Sequence, residues 1–545
     1  MGQGVNRSVS VRMGGITVVL AVVLAACGGT STSSSAAPGS SGGGGGGEID
    51  QITWAMAGDF NNLFVPRSWS VAVGEIMSLA QEGLLAFGDD LSLEPAVAEA
   101  WDQPDETTYV YTLREGIKFS DGTDVTADDV VFSMQMHSDE AVGSQLGAFY
   151  SGVSSIEATG DREITVTLEE PNAQFQYTAA HMAGFIYKKA QLEESPDDIG
   201  TPSVLPIGTG PYRVVEYRPD ESVTLERNEH YWGEQPDVAR VEIRFIPDSQ
   251  ARQLALRSGE IDGSFDVPLG EIDTWDGIEG VTVMTTSSLG VYLLTMDQDT
   301  PPFDDVHVRR AFNYALDREG LVNALLQGRG EAATTINPPG MWAGVQEEAE
   351  VRAAYENLTT YSFDMDAAAD ELAQSSVPNG FEVSVQTPTG YPELGQMALN
   401  LSENLSQIGV TVNVTEVDDN KWLNDYFAHE NLGLQVMSYF PDFADPANYP
   451  FLFLHSDNAV ENGLNGANYR NDEVDAALDL ALSDSDPAAR AGALHEALQI
   501  AGEDAAIVPG FWPDTAIAIS DEFAYEGFSA FFYNQPWLNR GFHAN

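Results

Sequence analysis

The chain predicts a mixed α/β fold with at least one parallel strand pair. Three observations in residues 381–440 carry this. Phe381, Val383 and Val385 alternate with polar neighbours, which is strand periodicity. Leu394, Met397, Leu401, Leu405 and Ile408 then recur at spacings of three and four, the apolar face of a helix of about four turns. Val410, Val412 and Val414 resume the alternation after Gly409, which stands where a helix C-cap belongs. A strand–helix–strand unit of this length needs its two strands parallel, because a crossover helix returns the chain to the same end of the sheet.

The remaining elements follow from local signals. A third apolar run, residues 432–439, reads as a further strand of the same sheet. Thr126 and Asp129 form a capping-box pair ahead of Val130, Val131 and Met134. Asp304 and Asp305 precede a helix carrying Val308, Phe312 and Ala315, and Asp366 opens an Ala-rich helix. Short alternating strands are expected at 109–113 and 164–168, and residues 208–212 (GTGPY) as a turn between strands. No repeat of solenoid period is present.

The N-terminal segment reads as an export signal. Arg7 and Arg12 precede an apolar run at 16–26, which is shorter than the ~20 residues that span a bilayer. The run ends Leu24-Ala25-Ala26-Cys27, so residues 1–26 read as a signal peptide. This site resembles a bacterial lipobox, which implies lipidation of Cys27 and attachment to the outer face of the cell membrane. Cys27 is the only cysteine, so an intrachain disulfide or a cysteine-based metal site is excluded. Residues 28–47 are almost all Gly, Ser, Thr and Ala, a flexible tether with a reach of ~25 Å.

The formal charge is −60, with 84 acidic residues against 24 basic ones. A phosphate backbone requires a basic footprint, so nucleic acid is not a partner this composition fits. The carboxylates are spread along the whole chain, as on a surface adapted to high salt or alkaline surroundings.

Several long segments resemble the extracellular solute-binding protein family 5, which includes dipeptide-, oligopeptide- and nickel-binding proteins. They are residues 82–134 (beginning EGLLAFGDD), PIGTGPYRVVEY at 206–217, NEHYWG at 228–233, PPFDDVHVRRAFNYALDREGLV at 301–322, and the strand–helix–strand segment through PDFADP at 441–446. The resemblance implies a two-lobed periplasmic-binding-protein-like fold with three domains around a ligand cleft. Domain I would comprise about 48–86, 205–295 and 505–545, domain II about 87–204, and domain III about 296–504. It also implies an ABC importer whose permease subunits receive a small solute, most simply a di- or oligopeptide, from a monomeric binding protein without a cofactor.

Ligands of open parallel sheets sit beyond the C-terminal strand ends. Two loops meet that rule: 387–391 after the first strand and 439–446 after the third. From spacing alone, Asp442 reads as a loop aspartate bonding its own backbone. The resemblance implies instead that Asp442 pairs with a peptide α-amino group. It places Tyr439 where the family often has tryptophan, and Val436 where oligopeptide binders carry an arginine for the peptide carboxylate. Asp445, just before Pro446, fits a turn. Trp54, Tyr391, Phe440 and Trp512 stand near strand ends as further candidates for ligand contact or for core packing. The competing classes are a nickel or metal-chelate receptor, an oligosaccharide binder of the same fold and, more remotely, a secreted hydrolase. The eight histidines show no local ligand spacing, and no Gly-x-Ser-x-Gly, His-Glu-x-x-His or Gly-Lys-Ser/Thr motif occurs.

Overall fold

A computed structural model describes residues 48–58 and 60–545. The signal segment, Cys27 and the tether therefore lie outside the described residues. Among the described residues no helix is long and apolar enough to cross a membrane.

Among the described residues ten strands form one mixed sheet, organised on the long strand Ile507–Ser520, whose middle also pairs antiparallel with the short Gly330–Ala332 strand. Its first part pairs antiparallel with Val291–Met296, which pairs in turn with Leu434–Tyr439. Its second part pairs antiparallel with Val281–Ser287 and with the short Gly263–Ser264 strand. From there the sheet continues through Ile52–Met56, Arg240–Phe245, Ser222–Arg227 and Tyr212–Arg218. One 14-residue strand thus joins two groups of strands. A separate antiparallel sheet runs in the order Ala98–Asp105, Thr108–Leu113, Glu163–Leu168, Val153–Ala158.

The strand–helix–strand unit forms as its periodicity predicts. Glu382–Pro388 and Thr411–Val417 pair in parallel, with Val383 opposite Val412 and Val385 opposite Val414. The crossover helix Pro392–Ser406 buries Leu394, Met397, Leu401 and Leu405. Gly409 has φ +90°, which a side chain would resist, and the Val410 amide closes the helix by donating to the Leu405 carbonyl. The third strand requires a correction. Leu434–Tyr439 forms, but its ladder is with Val291–Met296 and not with the parallel pair, which stands as a two-stranded sheet.

Two further local readings shift. The Ala-rich helix Met365–Gln374 is capped by Asp364, whose carboxylate accepts from the Asp366 and Ala367 amides, so Asp366 lies in the first turn. Residues 208–212 lead into the strand Tyr212–Arg218 but do not follow another one. Their glycines are required by close approach: a Cβ on Gly208 would come within 2.0 Å of the Ala80 carbonyl oxygen. The capping box of Thr126 and Asp129 starts the helix Ala127–Gln135 as expected.

Candidate ligand-binding site

The strand Leu434–Tyr439 ends at Phe440-Pro441, where proline stops the ladder. The loop that follows is fixed from several directions. Tyr533 donates to the Pro441 carbonyl at 3.4 Å, and Asn337 donates to the Pro446 carbonyl at 2.6 Å. Asp445 is fully buried and accepts from its own loop, at the Ala447 amide (2.9 Å). It also meets Arg490 at 2.6 Å and accepts from the Gln174 amide group at 3.2 Å. Asp445 is therefore more than a turn residue: its carboxylate ties the loop to the helix Pro487–Glu503 and to the segment around Gln174. The Ala173 amide adds a bond to the Leu482 carbonyl.

These contacts hold Asp442 against a cavity of about 220 Å³. One wall comes from residues 148–178, including Phe149, Gln174, Phe175 and Thr178; the other comes from 442–482, including Phe443, Asn448, Phe451 and Leu452. Phe443 bridges them, stacking on Tyr177 (centroids 5.4 Å apart) and meeting Phe149 edge-on at 6.2 Å. Behind Phe149, His181 stacks at 4.5 Å, and burial holds its pKa down at about 3, so it is neutral. Asp442 is half-buried and, among the described residues, is the only charged side chain that lines the cavity. Desolvation pushes its carboxyl up to about 7, and the neighbouring Tyr439 hydroxyl pulls it back only in part. Asn448 is buried in the same wall, and its Oδ1 makes no hydrogen bond within the protein. The arrangement offers one carboxylate and one unsatisfied acceptor among aromatic and aliphatic surfaces, with the neutral polar side chains of Ser151, Asn172, Gln174 and Thr178 beside them.

The other aromatic candidates fall elsewhere, for packing reasons. Trp54 is fully buried: its ring fills the space that Gly263 leaves and packs against Phe265 and Trp537 at 5.3 and 5.0 Å. Trp512 is buried near Tyr355, and Tyr391 lies near Trp422 at the start of the crossover helix. Phe440 covers Gly290, edge-on to Tyr292. None of the four lines the Asp442 cavity. Tyr439 is buried against Tyr449 and Phe453 and reaches the site only through its hydroxyl. Among the described residues, no group of three or more His, Cys, Asp or Glu is placed to hold a metal ion.

Residues 92–461 match the model of the bacterial extracellular solute-binding proteins, family 5 (middle region). The chain belongs to this family. It is 26% identical over 487 residues to the probable D,D-dipeptide-binding periplasmic protein DdpA of Escherichia coli K12, covering 88% of this chain and 89% of that one. It is 27% identical over 445 residues to heme-binding protein A of Haemophilus influenzae, covering 76% and 78%. In fold it resembles the ABC transporter-associated periplasmic binding protein DppA of Helicobacter pylori, solved with the peptide STSA. The TM-score is 0.76 at 23% identity, covering 91% of this chain and 98% of that one. These relatives are named as binding proteins, and none of the three names describes an enzyme.

Proposed function

We propose that this family member captures a peptide or a peptide-like amine in the cavity beside Asp442 and delivers it to the permease of an ABC importer. One observation carries the reading: an isolated carboxylate, raised in pKa by burial, lines a cavity between two distant stretches of chain and has no cationic partner there. A protein retains such a group at a cost in stability when a ligand supplies the missing charge. An α-ammonium does so with a charge-assisted hydrogen bond in a water-poor site. The relative named for D,D-dipeptide binding favours the same ligand class. The strand Ile507–Ser520, shared by two groups of strands, suits a hinge by which three domains at the boundaries expected above close on the ligand.

The protein is exported, cleaved before Cys27 and held by lipid on that cysteine as a monomer. The Gly/Ser tether keeps the folded part close to the membrane while letting it turn toward the permease. The test is mass spectrometry of what co-purifies from the native host. Peptides or peptide-like amines released on unfolding support the reading. A tetrapyrrole, a sugar or a metal chelate in stoichiometric amount refutes it.

A further inference from the structure

The charge balance of the site goes beyond the presence of an ammonium anchor. Among the described residues, no Lys, Arg or His lines the Asp442 cavity. The nearby guanidinium, Arg490, is occupied: it pairs with Asp445 at 2.6 Å and donates to the Ala481 carbonyl at 2.7 Å. It borders a different cavity, of about 350 Å³, with Asn172 standing between the two. Val436, six residues before Asp442, is fully buried in the ladder opposite Leu294 and brings no cation to the site. Asn448 Oδ1, which has no hydrogen-bond partner among the described residues, adds acceptor capacity. The rest of the lining is uncharged: Phe149, Phe175, Phe443, Phe451 and Leu452 are apolar, while Ser151, Asn172, Gln174 and Thr178 are polar, and the Gln174 amide is already committed to Asp445. At about 220 Å³ the cavity is smaller than the ~300–1,000 Å³ that enclose a drug-sized ligand. It holds one end of a peptide, not its whole length.

Resting on the peptide reading above, we propose that this site reads only the amino end of its ligand, an ammonium with an adjacent apolar side chain, and gives no affinity for a free carboxylate. Asp442 and Asn448 take the ammonium hydrogens, and the Phe149–Phe443 wall takes the side chain. The far end of the ligand leaves the cavity without a charge partner. The protein's formal charge of −60 acts in the same sense, since its field attracts a net cation and repels a net anion. The substrate class is therefore amine-bearing ligands with a neutral or extended far end: longer peptides, peptide amides and hydrophobic amines.

The test uses Leu-Leu-Ala and Phe-Leu-Ala in three forms, with free ends, as C-terminal amides and N-acetylated, titrated calorimetrically into the intact exported protein. The amides are expected to bind within threefold of the free acids, and the acetylated forms at least 30-fold more weakly. A loss of more than threefold on amidation overturns the inference while leaving the peptide reading in place. Equal binding of acetylated and free forms removes the ammonium anchor. Binding of none of the six removes the peptide reading and the inference with it.

Discussion

On the proposed docking of a ligand ammonium at Asp442, the pKa of its carboxyl makes affinity a function of pH, and the profile can be worked out from the structure. Burial sets the carboxyl at about 7. An ammonium binds the ionised form, so below pH 7 each binding event must first release a proton. At pH 5 the group lies about two units below its pKa, and affinity falls roughly 100-fold from its maximum, ~2.7 kcal/mol. Above about pH 8 the ligand's own α-amino group loses its proton, and affinity falls again. The expected profile is a bell with its maximum between about pH 7 and 8. Asp442→Asn should flatten the acid limb and lower the maximum by roughly 30- to 3,000-fold, the cost of a desolvated ammonium without its partner (~2–5 kcal/mol).

Stability supplies an independent reading of the same shift. The folded-state pKa of Asp442 is above that of the unfolded chain, so between about pH 4 and 7 the folded state binds the extra proton and stability falls as pH rises. The penalty is fully present above pH 7. After discounting for the partial exposure of the side chain it is on the order of 2–4 kcal/mol. Asp442→Asn should therefore raise the melting temperature of the ligand-free protein at pH 8 and change it little at pH 4. Affinity that is flat from pH 5 to 7, together with an Asn variant no more stable at pH 8, would refute the reasoning: the carboxylate would then be an ordinary solvated loop group.

Three further outcomes are expected. Arg490→Met leaves Asp445 buried without its cation and should cost about 3–5 kcal/mol in denaturant unfolding, whereas Asp445→Asn with Arg490→Met should recover much of that loss; equal losses in the two proteins would show that the pair does not act as a unit. With a formal charge of −60, the melting temperature should climb clearly as NaCl rises from 0.1 to 1 M and the screening length shrinks from ~10 to ~3 Å, and a flat curve would count against adaptation to salt. Cys27→Ser should move the exported protein from the membrane fraction to the soluble one, and continued sedimentation with membranes would rule out a lipid anchor at that residue.

The parts of the fold legible in the sequence are those whose causes are local. Leu394, Met397, Leu401 and Leu405 announce a buried helix face because one helix carries them all, and Gly409 announces its end. The pairing of Leu434–Tyr439 was not legible, because its partner Val291–Met296 lies far upstream and alternation says only that a strand exists, not what it pairs with. The same distinction governs the site. Asp442 was reachable through the motif around it, but the opposite wall at 148–178 consists of ordinary apolar and amide side chains with no pattern that sets them apart. The aromatic candidates are ambiguous in sequence for a related reason. Trp54 is large, apolar and near a strand end, and those properties describe a core residue as well as a ligand contact; the deciding partner, Gly263, is invisible to local reading.

Asp442 and Asp445 stand three residues apart in one loop, and the structure gives them opposite electrostatic lives. Asp445 is fully buried yet has a guanidinium, a side-chain amide and a backbone amide around it. Asp442 is less buried, but it has no cation in its cavity. A carboxylate as mobile as most surface aspartates would turn toward water and lose its desolvation, and with it the advantage of a strong bond to a ligand ammonium. The Asp445–Arg490 pair prevents this by fixing the backbone on which Asp442 is carried. The Gln174 bond extends that restraint to the opposite wall, so the distance across the cavity and the position of its charge are set together. If that coupling holds, weakening the Gln174 bond should reduce affinity without altering the pKa of Asp442, because the carboxylate would keep its surroundings while the facing wall lost its register. A Gln174→Ala protein whose affinity maximum drops, with the acid limb of its pH profile still centred near 7, would separate positioning from charge in this loop.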